Sequence, residues 1–310
     1  MKVIAEVGSN VKTIEDCIHS IEHAKIAGAD AVKFQCFTSE EMYGISGQGE
    51  TFIQLADLQY LKTVSERCEI EFMCTMFSPY SLQRALPLLN TIKIASSDME
   101  YLDLIDVAMA SGKDIYLSTG GHTAKEIARI VDYIGFNNPK LTLFYCESEY
   151  PTYRTDLRKL SLEPFLAFEK VGLSDHSKEV YSTISEANDY GICAVEKHVN
   201  FCGYKDTPDA PHSLSFEDFK LYCAAARGNR PKDFLSPGEQ PMRLRHNRRL
   251  VVTAPIAKGD IFQYHGHFEY PKNFGVYRSL VDNLDGMNPI FYDKVNQTVA
   301  DRDYNVGDII

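Results

Sequence analysis

A glutamate and a histidine share one face of an apolar segment near the middle of the chain. In "AVEKHVNFCGYKDTPDAPH" (residues 194–212), Glu196 and His198 stand in a strand-like run, and the loop after it carries carboxylates and a second histidine. Side chains alternate across a strand, so Glu196 and His198 point the same way. Because burying an unpaired charge is costly, this face is expected to serve a polar site rather than to fill a core.

Polar residues also end the other apolar runs of the chain. They are Glu6; Lys33 and Gln35; Thr75; Lys93, Ser96 and Asp98; Ser118 and Thr119; Glu147; and Ser174, Asp175 and His176. Neutral imidazole is a frequent ligand of divalent metals, and two imidazoles with oxygen ligands nearby suit Mn²⁺, Mg²⁺ or Co²⁺ in an open site. Lysines and hydroxyls can bind an anion, for which phosphate or carboxylate is the natural candidate.

Each of these residues taken alone has a plainer explanation. Ser118 and Thr119 could cap the next helix, a lysine could be paired with a neighbouring acid, and His176 could be a hydrogen-bonded structural histidine. A single polar strand end would indicate nothing. Their recurrence at the end of every run favours one charged, polar site where the ends of the runs meet.

The elements that must position these side chains alternate regularly. Short apolar runs are separated by segments with helical spacing of apolar residues, and Thr123 with Glu126 has the spacing of a capping box. The runs cover residues 2–8, 30–35, 70–75, 91–96, 114–119, 141–146, 171–176 and 193–199. Eight strands alternating with helices predict a (β/α)8 TIM barrel, whose active site lies at the carboxyl ends of the strands. A doubly wound sheet is the alternative, although "EVGSNVKT" is not a GxGxxG turn.

Composition excludes several classes of protein. A chain of 310 residues suggests one large domain and a small one. Its net charge of −11 argues against a nucleic-acid partner, and no apolar run reaches the roughly 18 residues of a membrane span. The eight cysteines form no CxxC pair, and the N-terminus lacks the pattern of a signal peptide. We therefore expect free thiols in a reducing cytoplasm.

Several motifs resemble, in order and spacing, the sialic acid synthase family, which makes nine-carbon (nonulosonic) sugar acids from phosphoenolpyruvate. They are "IAEVGSN", "GADAVKFQ", "KIASSD", "LSTGG", "YPT", "GLSDHS" and "VEKHV". The segments "RRLVVTAPIAKGDIF" and "DYNVGDII" resemble the small antifreeze-like (SAF) domain of that family. The resemblance implies a TIM-barrel synthase domain over residues 1–226, a linker over 227–242 and a SAF domain over 243–310.

The resemblance also implies a reaction and the residues that carry it. Phosphoenolpyruvate would condense with the aldehyde of an N-acetylmannosamine-type sugar, and phosphate would be released. His176 and His198 are the implied ligands of a divalent metal, Mn²⁺ first and Mg²⁺ or Co²⁺ as alternatives, and Glu6 is the acid near the reacting carbons. The implied contacts to phosphoenolpyruvate are Lys33, Thr75, Lys93, Ser96, Ser118 and Ser174. The implied sugar contacts are Gln35, Asp98, Tyr150 and Asp209. Metal coordination would also explain why one strand ends in Glu196 and His198.

Three departures from the family pattern put the acceptor sugar in question. Val11 stands where relatives usually have a histidine, and Tyr145 where they have histidine or glutamine. The turn "EYPKN" lacks the small-domain arginine that meets the sugar of the partner subunit, so Lys272 or Arg278 is expected to replace it. The same resemblance predicts a domain-swapped homodimer, in keeping with the commonest oligomer.

Two other functions remain open at this stage. A Schiff-base aldolase would use Lys93 or Lys33, kept neutral by burial or by a cationic neighbour. A non-catalytic sugar-binding homologue on the same barrel is the second alternative. Such a protein would be expected to have lost Glu6, Lys93 or a histidine, and the sequence retains them.

Overall fold

The chain divides into two compact units, Met1–Lys232 and Asp233–Ile310. The computed structural model describes residues 1–47, 49–135, 137–150, 152, 155–161, 165, 168–178, 180–229, 248–264, 273–278 and 292–310. Lys272 lies outside the described residues, as does the predicted linker from residue 230 onward. No helix within these described ranges is long and apolar enough to cross a membrane.

Parallel strands build the first unit. They are β1 Lys2–Gly8, β2 Ala31–Cys36, β3 Glu71–Met76, β4 Thr91–Ile94, β5 Asp114–Ser118, β6 Leu141–Cys146, β7 Val171–Asp175 and β8 Ala194–His198. Their order is β3-β2-β1-β8-β7-β6-β5-β4, so the first and last strands pair with each other, as in a barrel. Between β3 and β4, Thr91 Oγ1 donates a hydrogen bond of 2.9 Å to Glu71 Oε1. The predicted (β/α)8 TIM barrel is confirmed.

Helices follow the strands along the chain. They are α1 Ile14–Ala27, α2 Ser39–Tyr43, α3 Leu58–Arg67, α4 Pro79–Ala85, α5 Leu102–Ala110, α6 Ala124–Ile134, α7 Ser182–Asp189 and α8 Phe216–Ala226, with 3₁₀ turns at Leu86–Leu88, Ser96–Asp98, Leu157–Ser161 and Ala210–His212. The predicted capping box at Thr123 and Glu126 is present at the start of α6. Thr123, and not Ser118 or Thr119, caps this helix, so those two side chains are free for other bonds.

The barrel interior is layered. Inward-facing apolar side chains meet in one cluster, which contains Ile4, Ala31, Met73, Phe144 and Ala194 with Tyr116 against it. Two residues further along, the inward positions of the other strands in this cluster are polar, for example Glu6 after Ile4 and Lys33 after Ala31, while β6 has Cys146 there. The period of two in a strand therefore places an apolar floor directly beneath a polar layer.

A buried ion pair joins the ends of β7 and β8 on the helix side of the barrel. Lys197 Nζ lies 3.0 Å from Asp175 Oδ2, and both side chains are fully buried. The same ammonium donates to the carbonyl oxygen of Ser177. Breaking such a pair typically costs about 3–5 kcal/mol. Because His176 and His198 are the next residues along the two strands, this pair fixes the backbone that carries them.

The second unit contains an antiparallel pair, β9 Arg248–Val252 and β10 Phe274–Arg278, and a short helix, α9 Tyr292–Val295. Its core consists of Leu250, Val252, Ile256, Phe262, Phe274, Val295 and Ala300. Single bridges tie Ile256 to Tyr304 and Ile261 to Val299. Arg278 is the last residue of β10. The assignment of this unit to the SAF type remains a prediction.

Candidate active site

A cavity of about 70 Å³ opens at the carboxyl end of the barrel strands. Most of the residues predicted to act on substrates line it: Glu6, Lys33, Gln35, Thr75, Lys93, Ser96, Ser118, Tyr150, Ser174, His176 and His198. Cys146 and Glu196, which the resemblance did not assign to a substrate, line it as well. Side chains from all eight strands, or from the residues just after them, therefore meet in one place.

Two buried ammonium groups define the floor of the cavity. Lys33 Nζ lies 2.6 Å from Glu6 Oε2 and 3.5 Å from Glu196 Oε2, and it donates to Thr75 Oγ1 at 3.0 Å. Lys93 Nζ donates to Ser118 Oγ at 2.6 Å. Both lysines are at least 96% buried, so each charge acts in a medium where it is weakly screened.

Hydroxyl groups connect the second lysine to a carboxylate. Ser118 Oγ lies 3.2 Å from Ser174 Oγ, and Ser174 Oγ donates to Glu196 Oε1 at 3.2 Å. Hydroxyl hydrogens rotate to suit their acceptor. An arriving anion can therefore take hydrogen bonds from both serines as well as from the two ammonium groups, and charge-assisted bonds of this kind are the stronger ones.

The two carboxylates of the cavity have opposite proton affinities. Burial raises the pKa of Glu6 to about 7, with the charge of Glu196 adding to the effect and Lys33 opposing it. Burial alone would also raise the pKa of Glu196, but Lys33 and Lys93 outweigh it and bring that pKa to about 2. Near neutral pH, Glu196 is thus ionised while Glu6 can gain or lose a proton.

This geometry corrects the explanation of Glu196 by metal coordination. Its carboxylate accepts from Ser174 and lies near Lys33 and Lys93, at 3.5 and 4.0 Å respectively. It is the counter-ion of the lysines. Glu196 and His198 at the end of β8 therefore have different roles in one cavity: Glu196 pairs with the lysines, and His198 lies beside His176.

The histidines have the protonation state that metal binding requires. His176 Nδ1 lies 2.9 Å from the carbonyl oxygen of Glu147, which fixes Nδ1 as the donor and leaves the lone pair on Nε2. Tyr150 OH lies 3.2 Å from that Nε2. Burial lowers the pKa of His176, and it lowers the pKa of His198 to about 3. Both rings are neutral at pH 7, and their centroids are 5.7 Å apart. Two neutral imidazoles, one oriented by a backbone carbonyl, fit a divalent metal.

Asp209 and His212 approach His198 from the loop after β8. Asp209 Oδ2 accepts from the backbone N–H and the hydroxyl of Ser9, at 2.7 and 2.9 Å. Asp209 Oδ1 lies 3.4 Å from His212 Nε2. Burial would raise the pKa of Asp209, but the imidazole of His212 and the bonds from Ser9 hold it well below its usual range. His212 is the histidine of this loop, and the sequence gives it no role by motif; its one signal is its place three residues after Asp209, in "DAPH".

A larger cavity of about 970 Å³ lies beside the first and shares Gln35 with it. Its lining includes Val11 and Asp209 together with the segment 49–54. Gln35 Nε2 donates to Glu6 Oε1 at 2.9 Å, so this one side chain connects the two spaces. A sugar-sized molecule has room here next to the lysine-lined cavity.

Two other residues on which the sequence analysis focused lie elsewhere. Asp98, in the 3₁₀ turn after β4, is half-buried and lines neither of the two cavities. Tyr145 alternates with the inward-facing Phe144 and Cys146, packs edge-on against Phe165 and donates to Glu147 Oε1 at 2.8 Å. The assignment of Tyr145 to the acceptor side is therefore wrong, because the strand turns its side chain away from the cavity.

A barrel whose strand ends combine lysines, hydroxyls, a titrating carboxylate and neutral histidines defines an enzyme that acts on a small anionic substrate. The sequence profile of the NeuB family matches residues 20–230. Pseudaminic acid synthase of Helicobacter pylori is 28% identical over an alignment of 339 positions, gaps included, which covers 97% of each chain. N,N'-diacetyllegionaminic acid synthase of Legionella pneumophila is 25% identical and covers 83% of this chain and 81% of that protein.

Solved structures agree with the sequence matches. The N-acetylneuraminic acid synthetase of Leptospira borgpetersenii, solved with citrate, superimposes with a TM-score of 0.64 at 25% identity, covering 77% of this chain and 88% of that one. This chain belongs to the NeuB family. The predicted family and the predicted class of enzyme, a phosphoenolpyruvate-dependent transferase that forms a carbon–carbon bond, are thereby confirmed.

Proposed function

We propose that this chain condenses phosphoenolpyruvate with an amino-sugar aldehyde of the N-acetylmannosamine type, in a metal-dependent reaction that gives a nonulosonic acid and phosphate. One observation carries the proposal: Lys33 and Lys93 meet Glu6 and the two strand-end histidines in one cavity. The reaction balances with one water. The methylene carbon of phosphoenolpyruvate bonds to the aldehyde carbon, water adds to the neighbouring carbon, and phosphate leaves.

The lysines and hydroxyls of the cavity bind phosphoenolpyruvate in this proposal. The substrate carries a carboxylate and a phosphate, which the two ammonium groups can neutralise. Its contacts are Lys33, Thr75, Lys93, Ser96, Ser118 and Ser174. Ser118 and Ser174 already form a hydrogen-bonded chain with Lys93 and Glu196, so little reorganisation is needed when the anion arrives.

Glu6 exchanges a proton at the reacting carbons. Its pKa, raised to about 7 by burial, lies where a general acid or base is most effective near neutral pH. Gln35 donates to the same carboxyl group at 2.9 Å and faces the larger cavity. The acceptor sugar would lie in that cavity against Gln35 and Asp209 and reach Tyr150 in the smaller one; a contact with Asp98, which lines neither cavity, is proposed from the resemblance alone.

His176 and His198 hold the divalent metal, with Mn²⁺ the first candidate and Mg²⁺ or Co²⁺ the alternatives. When bound, the ion supplies Lewis-acid polarisation of the aldehyde oxygen. The chain contributes two neutral imidazoles. It orients one of them through the carbonyl of Glu147, 2.9 Å from His176 Nδ1, which is a common way of fixing a metal-binding ring.

The assembly is proposed from the resemblance alone. Residues 243–310 would be a SAF domain that closes over the acceptor site of the partner subunit, with residues 227–242 as the linker of a domain-swapped homodimer. Lys272 or Arg278 would then meet the sugar. The eight cysteines are free, and we place the enzyme in the cytoplasm, where thiols stay reduced.

A phosphate-release assay tests the proposal. The full chain is stripped with a chelator, reloaded with Mn²⁺, Mg²⁺ or Co²⁺, and given phosphoenolpyruvate with N-acetylmannosamine, its 6-phosphate or diacetamido sugars. With one of these sugars the wild type should release phosphate from phosphoenolpyruvate. His176→Ala and His198→Ala should abolish turnover in a folded protein. His19→Ala on α1 serves as a matched histidine control. Near-native activity of either site variant after metal is restored would refute the assignment.

One observation favours the aldolase alternative. Burial lowers the pKa of Lys93, which is the direction that a Schiff-base lysine needs. Against it, the ammonium donates to Ser118 and to the carbonyl oxygen of Ile94, an arrangement that suits a charged anion-binding group. Borohydride trapping decides: an adduct on Lys93 would establish the aldolase, and its absence during turnover would exclude it.

A further inference from the structure

Three potential metal ligands from one strand and the following loop lie together. Within the part of the chain that the structure describes, His198, Asp209 and His212 form a group whose donor atoms all fall within 4.8 Å of one another. His198 ends β8, and the other two residues belong to the loop and its 3₁₀ turn. Asp209 Oδ2 lies 3.8 Å from His198 Nδ1, and Asp209 Oδ1 lies 3.4 Å from His212 Nε2.

Two ring nitrogens of this group are buried without a hydrogen-bond partner among the described residues: His198 Nδ1 and His212 Nε2. The two residues are only 7% and 6% exposed. Leaving a buried polar group unpaired is costly, so such groups in a folded protein call for an explanation, of which a bound ligand is one. A cation between the rings and the carboxylate would satisfy both nitrogens.

The carboxylate of the group is held in place from outside it. Ser9 donates twice to Asp209 Oδ2, and Ser213 Oγ donates to the backbone carbonyl of Asp209 at 2.7 Å. Asn10 in turn donates to Ser213 Oγ at 2.8 Å. These bonds orient the ligand without occupying Oδ1, which remains on the side of His212. Outer bonds of this kind are typical of metal sites.

The spacing suits a transition metal. Two donors about 2.1 Å from one ion lie about 3.0–3.4 Å apart in octahedral or tetrahedral geometry. The distances of 3.4 and 3.8 Å, which run to the two different oxygens of Asp209, lie at or just above this range, and all three donors fall within 4.8 Å of one another. The His198 and His212 rings are 4.7 Å apart at their centroids, closer than the 5.7 Å between His176 and His198.

We propose that His198, Asp209 and His212 form a three-donor site for a divalent metal, which shares His198 with the His176–His198 pair of the proposed function and adds Asp209 and His212 as ligands. The role of the bound ion in catalysis rests on the proposed function, whereas the binding of the ion by these three residues does not. Imidazole suits transition metals such as Zn²⁺, whereas Mg²⁺ favours oxygen ligands, and the affinity of a mixed nitrogen and oxygen site rises from Mn²⁺ to Co²⁺. Two imidazoles and one carboxylate should therefore bind Co²⁺ or Mn²⁺ in preference to Mg²⁺.

Metal titration without substrates tests this site. The chelator-treated full chain is titrated with Mn²⁺ and with Co²⁺ by calorimetry, and the visible absorption of bound Co²⁺ is recorded. His212→Ala should weaken the binding of each ion by at least about tenfold and change the Co²⁺ spectrum. Asp209→Asn should do the same, while His19→Ala should match the wild type. His212→Gln replaces the alanine variant if circular dichroism shows that the latter unfolds.

The outcomes separate this inference from the proposed function. Unchanged affinity and an unchanged Co²⁺ spectrum in both the His212 and Asp209 variants would overturn the three-donor site, even if the enzyme makes a nonulosonic acid. Weaker binding with an altered spectrum would support it, even if no acceptor sugar were accepted. A wild-type chain that binds neither ion would refute the site outright.

Discussion

Lys33 and Glu6 face each other across neighbouring strands, with 2.6 Å between Nζ and Oε2 and at most 3% of either side chain exposed. Glu196 lies on the other side of the same ammonium, 3.5 Å away. One cation thus stands between two buried carboxylates. Because like charges at close range disfavour double ionisation, the protonation of Glu6 depends on the charges of Glu196 and Lys33.

This relationship predicts a pH-dependent contribution to stability. The folded-state pKa of Glu6 is raised from 4.5 to about 7, so its contribution is fully present below about pH 4.5 and is lost as the pH rises through 7. Between pH 5 and 8 the free energy of unfolding of the wild type should fall relative to Glu6→Gln by on the order of 2 kcal/mol. Urea titrations at several pH values measure the difference, and parallel curves for the two proteins would contradict it.

Removing the ammonium of Lys93 should weaken phosphoenolpyruvate binding. Charge-assisted hydrogen bonds contribute about 1.5–3 kcal/mol, and about 1.4 kcal/mol is a factor of ten, so Lys93→Ala should raise the Kd tenfold or more. Calorimetry without sugar measures it. Lys62→Ala, on the outer helix α3, is the control and should bind as the wild type does. Equal affinities in the two variants would remove Lys93 from the site.

Gly8 is predicted to be essential because Asp209 occupies the space of its missing side chain. A Cβ on Gly8 would clash with Asp209 Oδ2 and stand 3.3 Å from His198 Nδ1, and the backbone φ is +56°. Gly8→Ala should displace the carboxylate and reduce turnover by about a hundredfold, since small misplacements have such effects.

Gly112→Ala is the control that separates the effect of the clash at Gly8 from the effect of a positive backbone φ. Gly112 has a φ of +69°, and a Cβ added to it would meet no described atom within 4 Å, so its variant should lose some stability but keep its activity. Steady-state kinetics and thermal unfolding on both variants make the comparison. Similar activity losses in the two would mean that strain, and not the contact with Asp209, explains the effect.

The C-terminal residues should matter for the sugar and not for phosphoenolpyruvate. Arg278→Ala should raise the KM for the acceptor and leave phosphoenolpyruvate affinity unchanged, and deletion of residues 243–310 should abolish acceptor turnover. Light scattering at micromolar concentration should give a dimer. A monomeric full chain, or a truncated chain with intact sugar turnover, would refute the proposed exchange of small domains.

Much of the barrel could be predicted because its patterns are local. The run 2–8 coincides with β1, 141–146 coincides with β6, and the box at Thr123 starts α6. The run 91–96 was too long, because the strand ends at Ile94 and Ser96 begins a 3₁₀ turn. Apolar periodicity does not distinguish a strand residue from the first residue of such a turn.

The site was harder to predict where contacts join distant parts of the chain. Alternation along the strand predicts that Glu196 and His198 share a face. The lysines that pair with Glu196, however, come from β2 and β4. His212 carries no periodic signal, since it lies in a 3₁₀ turn, and its place beside His198 depends on the fold of a loop that is bonded to Ser9 through Asp209. Motif position alone does not place Tyr145, because strand parity turns its side chain away from the cavity.

The fate of the phosphoenolpyruvate carbons tests the central claim most directly. The metal-loaded wild type is incubated with uniformly ¹³C-labelled phosphoenolpyruvate and the amino sugar that releases most phosphate, and the product is analysed by mass spectrometry. We predict one sugar acid that carries all three labelled carbons, formed in equal amount to phosphate. Phosphate release without transfer of the label to the sugar would contradict the account.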